Sequence, residues 1–376
     1  MAEETRWTVN SILNWTQQYF GRRGVDTPRL DAEILLCDIL GCKRVGLFLR
    51  FNEELAPDVL KRYHEAVVRR AAREPVAYIL GRKGFLKWDF KVTPDVLIPR
   101  PETELLVEAI VRCVTGKSLV QLEKEAFWRR KAEEMRTLAE KSREAARTRL
   151  QEETDPDKAR FIVQEAADRQ AAAEEAAARN TGGADELRQH RLSLLDVGTG
   201  SGAILLSLLA LLPDAAGTAL DISPAALAVA KENARNLGVA ERAEFLESDL
   251  LARVPSGRRY DVIVSNPPYI PDQDVAALAP EVRREPVLAL KGGRDGLDVY
   301  RRLLRQLPAF LAEDGLAAFE VGIGEGRAVA SLCARAGLAE TAVCLDFAGI
   351  DRMVFAARPR SRYAAAVAAL RDGTSA

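Results

Sequence analysis

The sequence predicts an α/β protein with a mainly parallel sheet, preceded by a small helical domain. From residue 192 to residue 336, short apolar runs typical of buried strands alternate with helical patterns, as in βαβ units. The first 75 residues show helical spacing of apolar residues, as in Val9, Ile12 and Leu13. Two of the predicted strands end in glycine-rich or polar groups, and ligands of parallel sheets bind beyond such ends.

The first of these strand ends is rich in glycine. Leu194–Val197 is a predicted strand, Gly198-Thr199-Gly200-Ser201-Gly202 follows it, and a helix begins at Ala203. Glycines let the backbone turn sharply and approach a ligand, and the helix start offers free N–H groups. A second strand, Gly217–Asp221, ends in a carboxylate about 20 residues further on, where it can bind ribose hydroxyls. This spacing fits NAD and S-adenosylmethionine equally well.

The third predicted strand brings another carboxylate to the same edge of the sheet. Ser223-Pro224 predicts the start of a helix and Gly238 predicts its end. Ala243–Glu247 is the third strand, and Asp249 and Leu250 follow it. Asp249 either contacts an adenine amine at the carboxyl edge of the sheet or is the N-cap of a helix, and the sequence favours neither interpretation.

The fourth strand, Tyr260–Ser265, ends in Asn266-Pro267-Pro268-Tyr269. The two prolines have no N–H to extend a strand, and they hold Asn266 in an extended conformation. The Asn266 side-chain oxygen and a backbone carbonyl can then accept both N–H bonds of a planar NH2 group, with Tyr269 as an aromatic wall. The alternative is an ordinary turn at a strand end. Because a dehydrogenase gains nothing from an NH2 clamp, this motif favours S-adenosylmethionine over NAD.

Taken together, these residues resemble the class I S-adenosylmethionine-dependent methyltransferases, which implies a Rossmann-like sheet of seven strands. Three further segments are similar to the release factor glutamine methyltransferases, the PrmC/HemK family, namely Glu74–Gly81, Leu97–Glu104 and Gly292–Asp298. The resemblance covers residues 5–115 and 192–358, and its motifs are specific in combination. The Asn-Pro-Pro-Tyr motif alone is shared with adenine-N6 methyltransferases.

The resemblance implies methyl transfer from S-adenosylmethionine to the side-chain amide of the glutamine in the Gly-Gly-Gln loop of peptide chain release factors, in support of translation termination. It implies that Asn266, Pro267, Pro268 and Tyr269 bind this glutamine, with Asn266, Pro267 and Tyr269 as catalytic residues. The implied cofactor-binding residues are Gly198, Thr199, Gly200, Ser201, Gly202, Asp221, Asp249, Leu250 and Asn266. The expected mechanism is in-line attack of the amide nitrogen on the methyl group, promoted by orientation and electrostatics without a strong general base.

Two other hypotheses compete with this one. An adenine-N6 methyltransferase would hold a flipped base in the same clamp, stacked on Tyr269. It predicts a basic groove, whereas the chain has a net charge of −1. A non-catalytic protein with a decayed pocket would not be expected to keep the glycines, Asp221 and the whole Asn-Pro-Pro-Tyr motif. We therefore expect a protein substrate and no direct binding of nucleic acid.

We expect residues 1–80 to form a domain of four or five helices. By resemblance it helps to hold the release factor, and the alternative is a lid or packing domain that does not contact substrate. Residues 81–115 are expected to contain a linking β-hairpin at residues 83–98 and a helix at Leu105–Val114. The intervening Arg100–Glu104 either reaches the cofactor pocket or only begins this helix.

Residues 116–191 depart from the family pattern and are predicted to be an inserted helical segment. From Gln121 to His190, 30 of the 70 residues are charged, and alanine fills much of the rest. Asp155-Pro156 interrupts the run and Thr181-Gly182-Gly183 ends it, which predicts two helices. We interpret the insertion as a solvated arm or, alternatively, as an arm for a partner or for oligomerisation. The rest of the enzyme is not expected to depend on it.

Residues 192–360 are expected to form the cofactor-binding methyltransferase domain, and residues 361–376 a tail. Beyond the Asn-Pro-Pro-Tyr motif we expect helices and strands that complete the sheet. These are a helix at Val299–Leu311, a strand at Gly315–Val321, a helix at residues 324–336, and two antiparallel strands near Ala339–Leu345 and Arg352–Ala357.

The length and composition agree with a two-domain cytoplasmic enzyme. With 376 residues, 48% of them hydrophobic, each of two domains can bury a core. No apolar run approaches the length of a membrane span, and the first residues do not resemble a signal peptide. The five cysteines and two histidines show no zinc-site spacing, so no metal is expected. We also expect a monomer.

Overall fold

The computed structural model describes residues 6–178 and 191–372. Five helices lie within residues 6–80, in agreement with the prediction of four or five. They are α1 (Val9–Arg22), α2 (Pro28–Leu40), α3 (Arg44–Leu49), α4 (Pro57–Ala71) and α5 (Val76–Leu80). The Thr8 hydroxyl caps α1 by accepting the N–H of Ser11. Leu13, Leu36 and Tyr63 belong to the buried core that holds α1, α2 and α4 together.

A short hairpin follows the helices, with β1 (Arg82–Phe85) antiparallel to β2 (Trp88–Lys91). The predicted hairpin at residues 83–98 is therefore too long. Pro94 has no N–H for a ladder, and the chain beyond Lys91 leaves the strand. Val96 and Ile98 instead pack in a small buried cluster with side chains of the cofactor-binding domain. Their alternation reflects this packing and not a strand.

The helix after the hairpin, α6 (Pro101–Thr115), begins at Pro101, earlier than the predicted Leu105. Proline suits the first position of a helix because its missing N–H has no helical partner there. Arg100–Glu104 therefore does begin a helix, as one of the two interpretations held. Side chains of Arg100–Glu104 nevertheless also take part in the site described below.

The described part of the insertion, residues 116–178 and 191, contains two helices, α7 (Leu119–Glu152) and α8 (Pro156–Ala178). Among the described residues, 108–178, 191–192 and 211–214 form a compact unit of their own. Ser118 and Gln121 form a capping box at the start of α7. Pro156 is the first residue of α8, so the predicted break at Asp155-Pro156 is confirmed, while Thr181-Gly182-Gly183 lies outside the described residues. Buried positions are mostly small, as at Ala139, Ala146, Ala173 and Ala176.

The cofactor-binding domain is a seven-stranded sheet with flanking helices, as predicted. Its elements, in chain order, are β3 (Ser193–Val197), α9 (Ala203–Leu211), β4 (Ala216–Asp221), α10 (Pro224–Asn236), β5 (Ala243–Glu247), β6 (Tyr260–Ser265), α11 (Asp298–Gln306), β7 (Leu311–Glu320), α12 (Gly326–Arg335), β8 (Glu340–Leu345), β9 (Asp351–Ala357) and α13 (Ala364–Arg371). The strand order is β5-β4-β3-β6-β7-β9-β8. The first five of these strands are parallel, and β9 is antiparallel to both β7 and β8. Every residue of β6 is buried, as expected for a central strand covered on both faces.

Two boundaries in this domain differ from the prediction by more than two residues, the end of one helix and the start of β7, which begins at Leu311 and not at Gly315. The helix predicted at Val299–Leu311 ends at Gln306 and continues as a single 3-10 turn, Leu307–Ala309. Pro308 lies in this turn, and Leu311 is already the first residue of β7. The apolar periodicity continues through the turn because these residues still face the core. Among the described residues, no helix has both the length and the apolar character needed to cross a lipid bilayer.

Candidate active site

The carboxyl ends of β4, β3, β6 and β7 meet at one edge of the sheet. The strand order reverses between β3 and β6, and ligands of open α/β sheets bind at such a point. Asp196 lies beside Val264 in the register of these two strands. The Ser265 hydroxyl donates to the carbonyl oxygen of Val197 at 2.6 Å. The glycine turn after β3 and the Asn-Pro-Pro-Tyr motif after β6 are thus brought together.

The glycine turn has the backbone geometry that its sequence predicts. Gly198, Gly200 and Gly202 all have positive φ, at 76°, 56° and 83°, a region that other residues rarely adopt. A Cβ on Gly198 or Gly200 would meet no atom within 4 Å, so open space lies beside this backbone. Ser201 is buried, and its carbonyl oxygen accepts an N–H of Asn233 at 2.8 Å. The turn is therefore rigid and open on one side.

Asp221 lies at the end of β4 and braces the same turn. Its two oxygens accept the N–H groups of Gly200 and Ser223, each at 2.9 Å. Burial raises the pKa of Asp221, and these backbone hydrogen bonds oppose part of the rise. The next residue, Ile222, is 53% exposed, which is unusual for a large apolar side chain beside a ligand-binding turn. It offers an apolar surface that the sequence analysis did not identify.

Asp196, the third residue in the short apolar run of β3, was also missed. Its side chain is fully buried, and its Oδ2 accepts the hydroxyl of Thr199 at 2.7 Å. Its Oδ1 has no hydrogen-bond partner among the described residues. Burial raises its pKa to about 7, and the nearby Asp221 adds to the rise. Because an acidic residue inside a buried apolar strand is otherwise unfavourable, that pattern was the available sequence signal.

Asp249 and Leu250 follow β5, as predicted. No helix begins at Asp249, so its interpretation as an N-cap is wrong, and residues 249–253 form turns instead. The Asp249 carboxylate pairs with the guanidinium of Arg302 at 2.6 Å. Leu250 has a positive φ of 51° and packs against the main core of the domain. The predicted contact between Asp249 and an adenine amine stays a prediction.

Asn266 is connected to two side chains that the site prediction did not include. Its side-chain N–H donates to the hydroxyl oxygen of Thr103 across 3.4 Å, and the Thr103 hydroxyl donates to Oε2 of Glu320 at 2.5 Å. The hydroxyl of Tyr269 donates to the other oxygen, Oε1, across 3.4 Å. Glu320 is the last residue of β7, at the carboxyl edge where the other predicted groups lie. We call Asn266, Tyr269, Thr103 and Glu320 the Glu320 network.

The backbone of Tyr269 is enclosed by the glycines of Gly292–Gly296. A Cβ on Gly292 would lie 2.7 Å from the Cα of Tyr269, and one on Gly296 would lie 2.5 Å from its carbonyl oxygen. The backbone N–H of Gly292 also donates to Ile270 at 2.8 Å. Side chains are thus excluded from this segment, because the two backbones pack directly against each other. This explains Gly292 and Gly296 of the Gly-Gly-Arg-Asp-Gly motif, whereas at Gly293 the positive φ of 90° favours glycine.

Two glutamates, the partly buried Glu281 and the buried Glu285, tie the segment after the Asn-Pro-Pro-Tyr motif to the N-terminal part of the chain. Glu281 pairs with Arg70 and with Arg73 of the helical region, each at 2.7 Å. Glu285 accepts the N–H of Ile98 at 3.0 Å and pairs with Arg100. Arg100 therefore binds this segment, whereas Thr103 joins the Glu320 network. The first of these contacts connects the predicted recognition domain to the active-site loop.

The charges at this edge of the sheet favour a cationic cofactor. The carboxylates of the buried Asp196 and the half-buried Asp221 contact the glycine turn, and removal from water raises the pKa of both. The pyrophosphate of NAD would bring two more negative charges beside them, whereas the sulfonium and ammonium groups of S-adenosylmethionine bring positive charge. Open space lies beside the backbone of Gly198 and Gly200, and the exposed Ile222 offers an apolar surface next to Asp221. The residues present therefore fit S-adenosylmethionine, and no cluster of metal ligands occurs in the described part of the chain.

Comparison with known proteins identifies the family of this chain. The PrmC N-terminal domain matches residues 11–81 and the methyltransferase small domain matches residues 184–315. The chain is 35% identical over 350 residues to the release factor glutamine methyltransferase of Geobacter sulfurreducens, covering 93% of this chain and 96% of that protein. It is 38% identical over 352 residues to the corresponding protein of Moorella thermoacetica, covering 93% and 99%. The chain belongs to the release factor glutamine methyltransferase family, and it is a class I enzyme whose cofactor is S-adenosylmethionine.

Proposed function

We propose that this protein transfers a methyl group from S-adenosylmethionine to the side-chain amide nitrogen of the glutamine in the Gly-Gly-Gln loop of peptide chain release factors. The observation that carries the proposal is the orientation of Asn266 beside the glycine turn. Its N–H donates to Thr103, which leaves its side-chain oxygen available as an acceptor. An acceptor in that position matches an NH2 group of a substrate.

The glutamine would be held by Asn266, Pro267, Pro268 and Tyr269. The two prolines keep the backbone extended, so the Asn266 oxygen and the carbonyl oxygen of Pro267 are fixed acceptors for the two N–H bonds of the amide. The packing of Gly292–Gly296 against Tyr269 supports a fixed position for the aromatic wall. The two catalytic contributions of these residues are orientation and electrostatic stabilisation of charge at the nitrogen.

The cofactor would be held along the same edge of the sheet. We assign this role to Gly198, Thr199, Gly200, Ser201, Gly202, Asp221, Asp249, Leu250 and Asn266. When bound, S-adenosylmethionine supplies a methyl group activated by positively charged sulfur. Asp221 is placed to accept hydrogen bonds from ribose hydroxyls, and Ile222 extends an apolar surface next to it.

We further propose that residues 1–80 help to hold the release factor, that residues 192–360 carry out the methyl transfer, and that residues 81–115 link the two. The ion pairs of Glu281 with Arg70 and Arg73 support this division, since they connect the first region to the loop that follows Asn266. The insertion at 116–191 and the tail at 361–376 are assigned no role in catalysis. The enzyme would act as a cytoplasmic monomer and would not bind nucleic acid directly.

The test offers purified protein and radiolabelled S-adenosylmethionine to a release factor, to the same factor with Gln→Ala in its Gly-Gly-Gln loop, and to duplex and single-stranded nucleic acid. Label on the unmodified factor alone supports the proposal. Label on nucleic acid would instead identify an adenine-N6 methyltransferase, for which the same clamp would hold a flipped base.

A matched pair of variants tests the clamp. Asn266→Ala should lower methyl transfer by at least about a hundredfold, the effect of removing one preorganised polar group at a reacting centre. Asn236→Ala removes an exposed asparagine at the end of α10 and should leave the rate unchanged. Full activity of the Asn266 variant would remove the central claim.

A further inference from the structure

The Glu320 network joins both sides of the proposed amide clamp to one buried carboxylate. Glu320 is 2% exposed and Thr103 is 4% exposed. Thr103 lies in the first turn of α6, and Glu320 is the last residue of β7, so the two come from distant parts of the chain. One carboxylate oxygen of Glu320 accepts from the Thr103 hydroxyl, and that hydroxyl oxygen accepts from the Asn266 amide. The second carboxylate oxygen accepts from the Tyr269 hydroxyl.

The direction of these hydrogen bonds determines which way the Asn266 amide faces. An ionised carboxylate can only accept, so the Thr103 hydroxyl must donate to it. The Thr103 oxygen is then free to accept, and it takes an N–H of Asn266. The amide nitrogen is therefore used inside the protein, and the amide oxygen is left for a ligand. If a neutral donor replaced the carboxylate, the direction of every hydrogen bond in the network could reverse. The NH2 group of Asn266 would then face the substrate.

The second carboxylate oxygen acts on Tyr269. Burial raises the pKa of the Tyr269 hydroxyl, and the negative charge of Glu320 raises it further, so this group is a neutral donor. Its hydrogen bond to Oε1 holds the side chain, while the packing of Gly292 against its Cα holds the backbone. Tyr300 in turn donates to the backbone oxygen of Glu320 at 2.6 Å, which fixes the end of β7.

We propose that Glu320 and Thr103 are positioning residues that orient the Asn266 amide and Tyr269 toward the substrate amide. This inference rests on the proposed function for the identity of the substrate, but the network itself does not depend on that identity. Neither residue touches the reacting atoms in this proposal, and each acts through Asn266 or Tyr269.

A pair of substitutions separates the Thr103 hydroxyl from the volume of its side chain. Thr103→Val removes the hydroxyl and keeps the shape, so kcat at saturating release factor and cofactor should fall about tenfold or more. Thr103→Ser keeps the hydroxyl and should stay within about twofold of the unmodified enzyme. Equal rates for the valine variant and the unmodified enzyme would overturn the proposal, as would equal losses in both variants, since the methyl group would then matter instead.

Glu320→Gln tests the carboxylate with almost no change of shape. Thr103 and Tyr269 donate to different oxygens of the carboxylate, and in a carboxamide one of these two positions becomes an NH2 donor that cannot accept. We expect kcat to fall about tenfold or more with the thermal stability largely retained. An unchanged kcat would contradict the assignment, because it would show that a neutral, space-filling side chain is sufficient.

The pH profile gives a readout that a purely structural role would not change. Burial raises the pKa of Glu320, the hydrogen bond from Thr103, the nearby Asn266 amide and the charge of Arg352 oppose the rise, and Glu102 adds to it. As pH falls through this pKa, the protonated carboxyl becomes a donor and kcat should decrease. Glu320→Gln has no such group, so this acidic decrease should be absent. The same acidic decrease in both proteins would refute the role of the carboxylate.

A final measurement tests the network without any substrate. Asn266 is one of seven asparagines, so selective ¹⁵N-asparagine labelling and the Asn266→Ala variant identify its side-chain signals. We expect its NH2 protons to exchange with water slowly in the unmodified enzyme and faster in Thr103→Val. Equal exchange would overturn the network even in an active enzyme. Failure of the unmodified enzyme to label a release factor would instead overturn the proposed function.

Discussion

Asp196→Asn is predicted to make the protein more stable and a weaker binder of its cofactor. The Asp196 carboxylate is fully buried, and one of its oxygens has no hydrogen-bond partner among the described residues. An asparagine keeps an acceptor for the Thr199 hydroxyl and removes the charge. An asparagine resembles the protonated form of Asp196. The one buried polar atom without a partner should therefore disfavour folding to a similar extent in the variant and in the protein with protonated Asp196.

The size and sign of this effect follow from the pKa of Asp196, which rises from 3.8 to about 7 because of burial. Each unit corresponds to about 1.36 kcal/mol, so the charged form destabilises the fold by at most about 4 kcal/mol. Between about pH 4 and pH 7 the folded state binds more protons than the unfolded state, and stability falls as pH rises. Above about pH 7 the loss is complete, and below about pH 4 it is absent.

The assay compares the thermal unfolding of the unmodified protein and Asp196→Asn at about pH 4, 6 and 8. The difference in Tm should be small at the lowest pH and on the order of 5–10 °C at the highest. Exposed Asp214→Asn is the control and should show no such difference. Equal Tm values at high pH, or an advantage that grows toward low pH, would refute the reasoning. Binding of S-adenosylmethionine at high pH should weaken in Asp196→Asn. This is expected when a buried charge that destabilises the fold is retained for function.

Two further substitutions test the contacts around the active-site loop. Glu281→Gln removes a charge that is paired with two arginines, and it should lower stability by about 1–3 kcal/mol, measured as a fall in Tm. Glu53→Gln removes an exposed ion pair and should change Tm far less. Gly292→Ala places a methyl group 2.7 Å from neighbouring backbone and should reduce methyl transfer and destabilise by about 1–3 kcal/mol. Gly21→Ala, with nothing within 4 Å in a helix, should be neutral or stabilising, and similar losses in both glycine variants would contradict the packing argument.

The strand ends could be predicted because their chemistry is local. Gly198–Gly202 and Asn266–Tyr269 each combine a buried strand with residues that stop it, and parallel strands bring such ends to one edge. Element boundaries were less predictable where apolar side chains face a core without regular structure. Val96 and Ile98 alternate like a strand, yet they pack beside α10 after the hairpin has ended.

Asp196 and Glu320 were missed for a different physical reason. Each is an acidic residue at or near the carboxyl end of an apolar strand, where alternation predicts a solvent-facing side chain. Their burial depends on partners distant in sequence or on the covering of the sheet edge. Thr103, for example, is more than two hundred residues from Glu320. Local patterns do not contain that information, although an acid in an otherwise fully buried strand is itself a signal.

The carboxylates of this site also bear on how the substrate amide loses its proton. Glu320 is buried and accepts hydrogen bonds at both oxygens, and Asp196 is buried beside Thr199. Asp221 accepts from Gly200 and Ser223, and its remaining acceptor capacity is assigned to the ribose hydroxyls. None of the three is therefore placed to act as a general base. A glutamine amide is a weak nucleophile, but it becomes acidic once its nitrogen is alkylated, so the proton can leave to water. The arrangement of charge thus fits catalysis by orientation, with Asn266 as the group that faces the substrate.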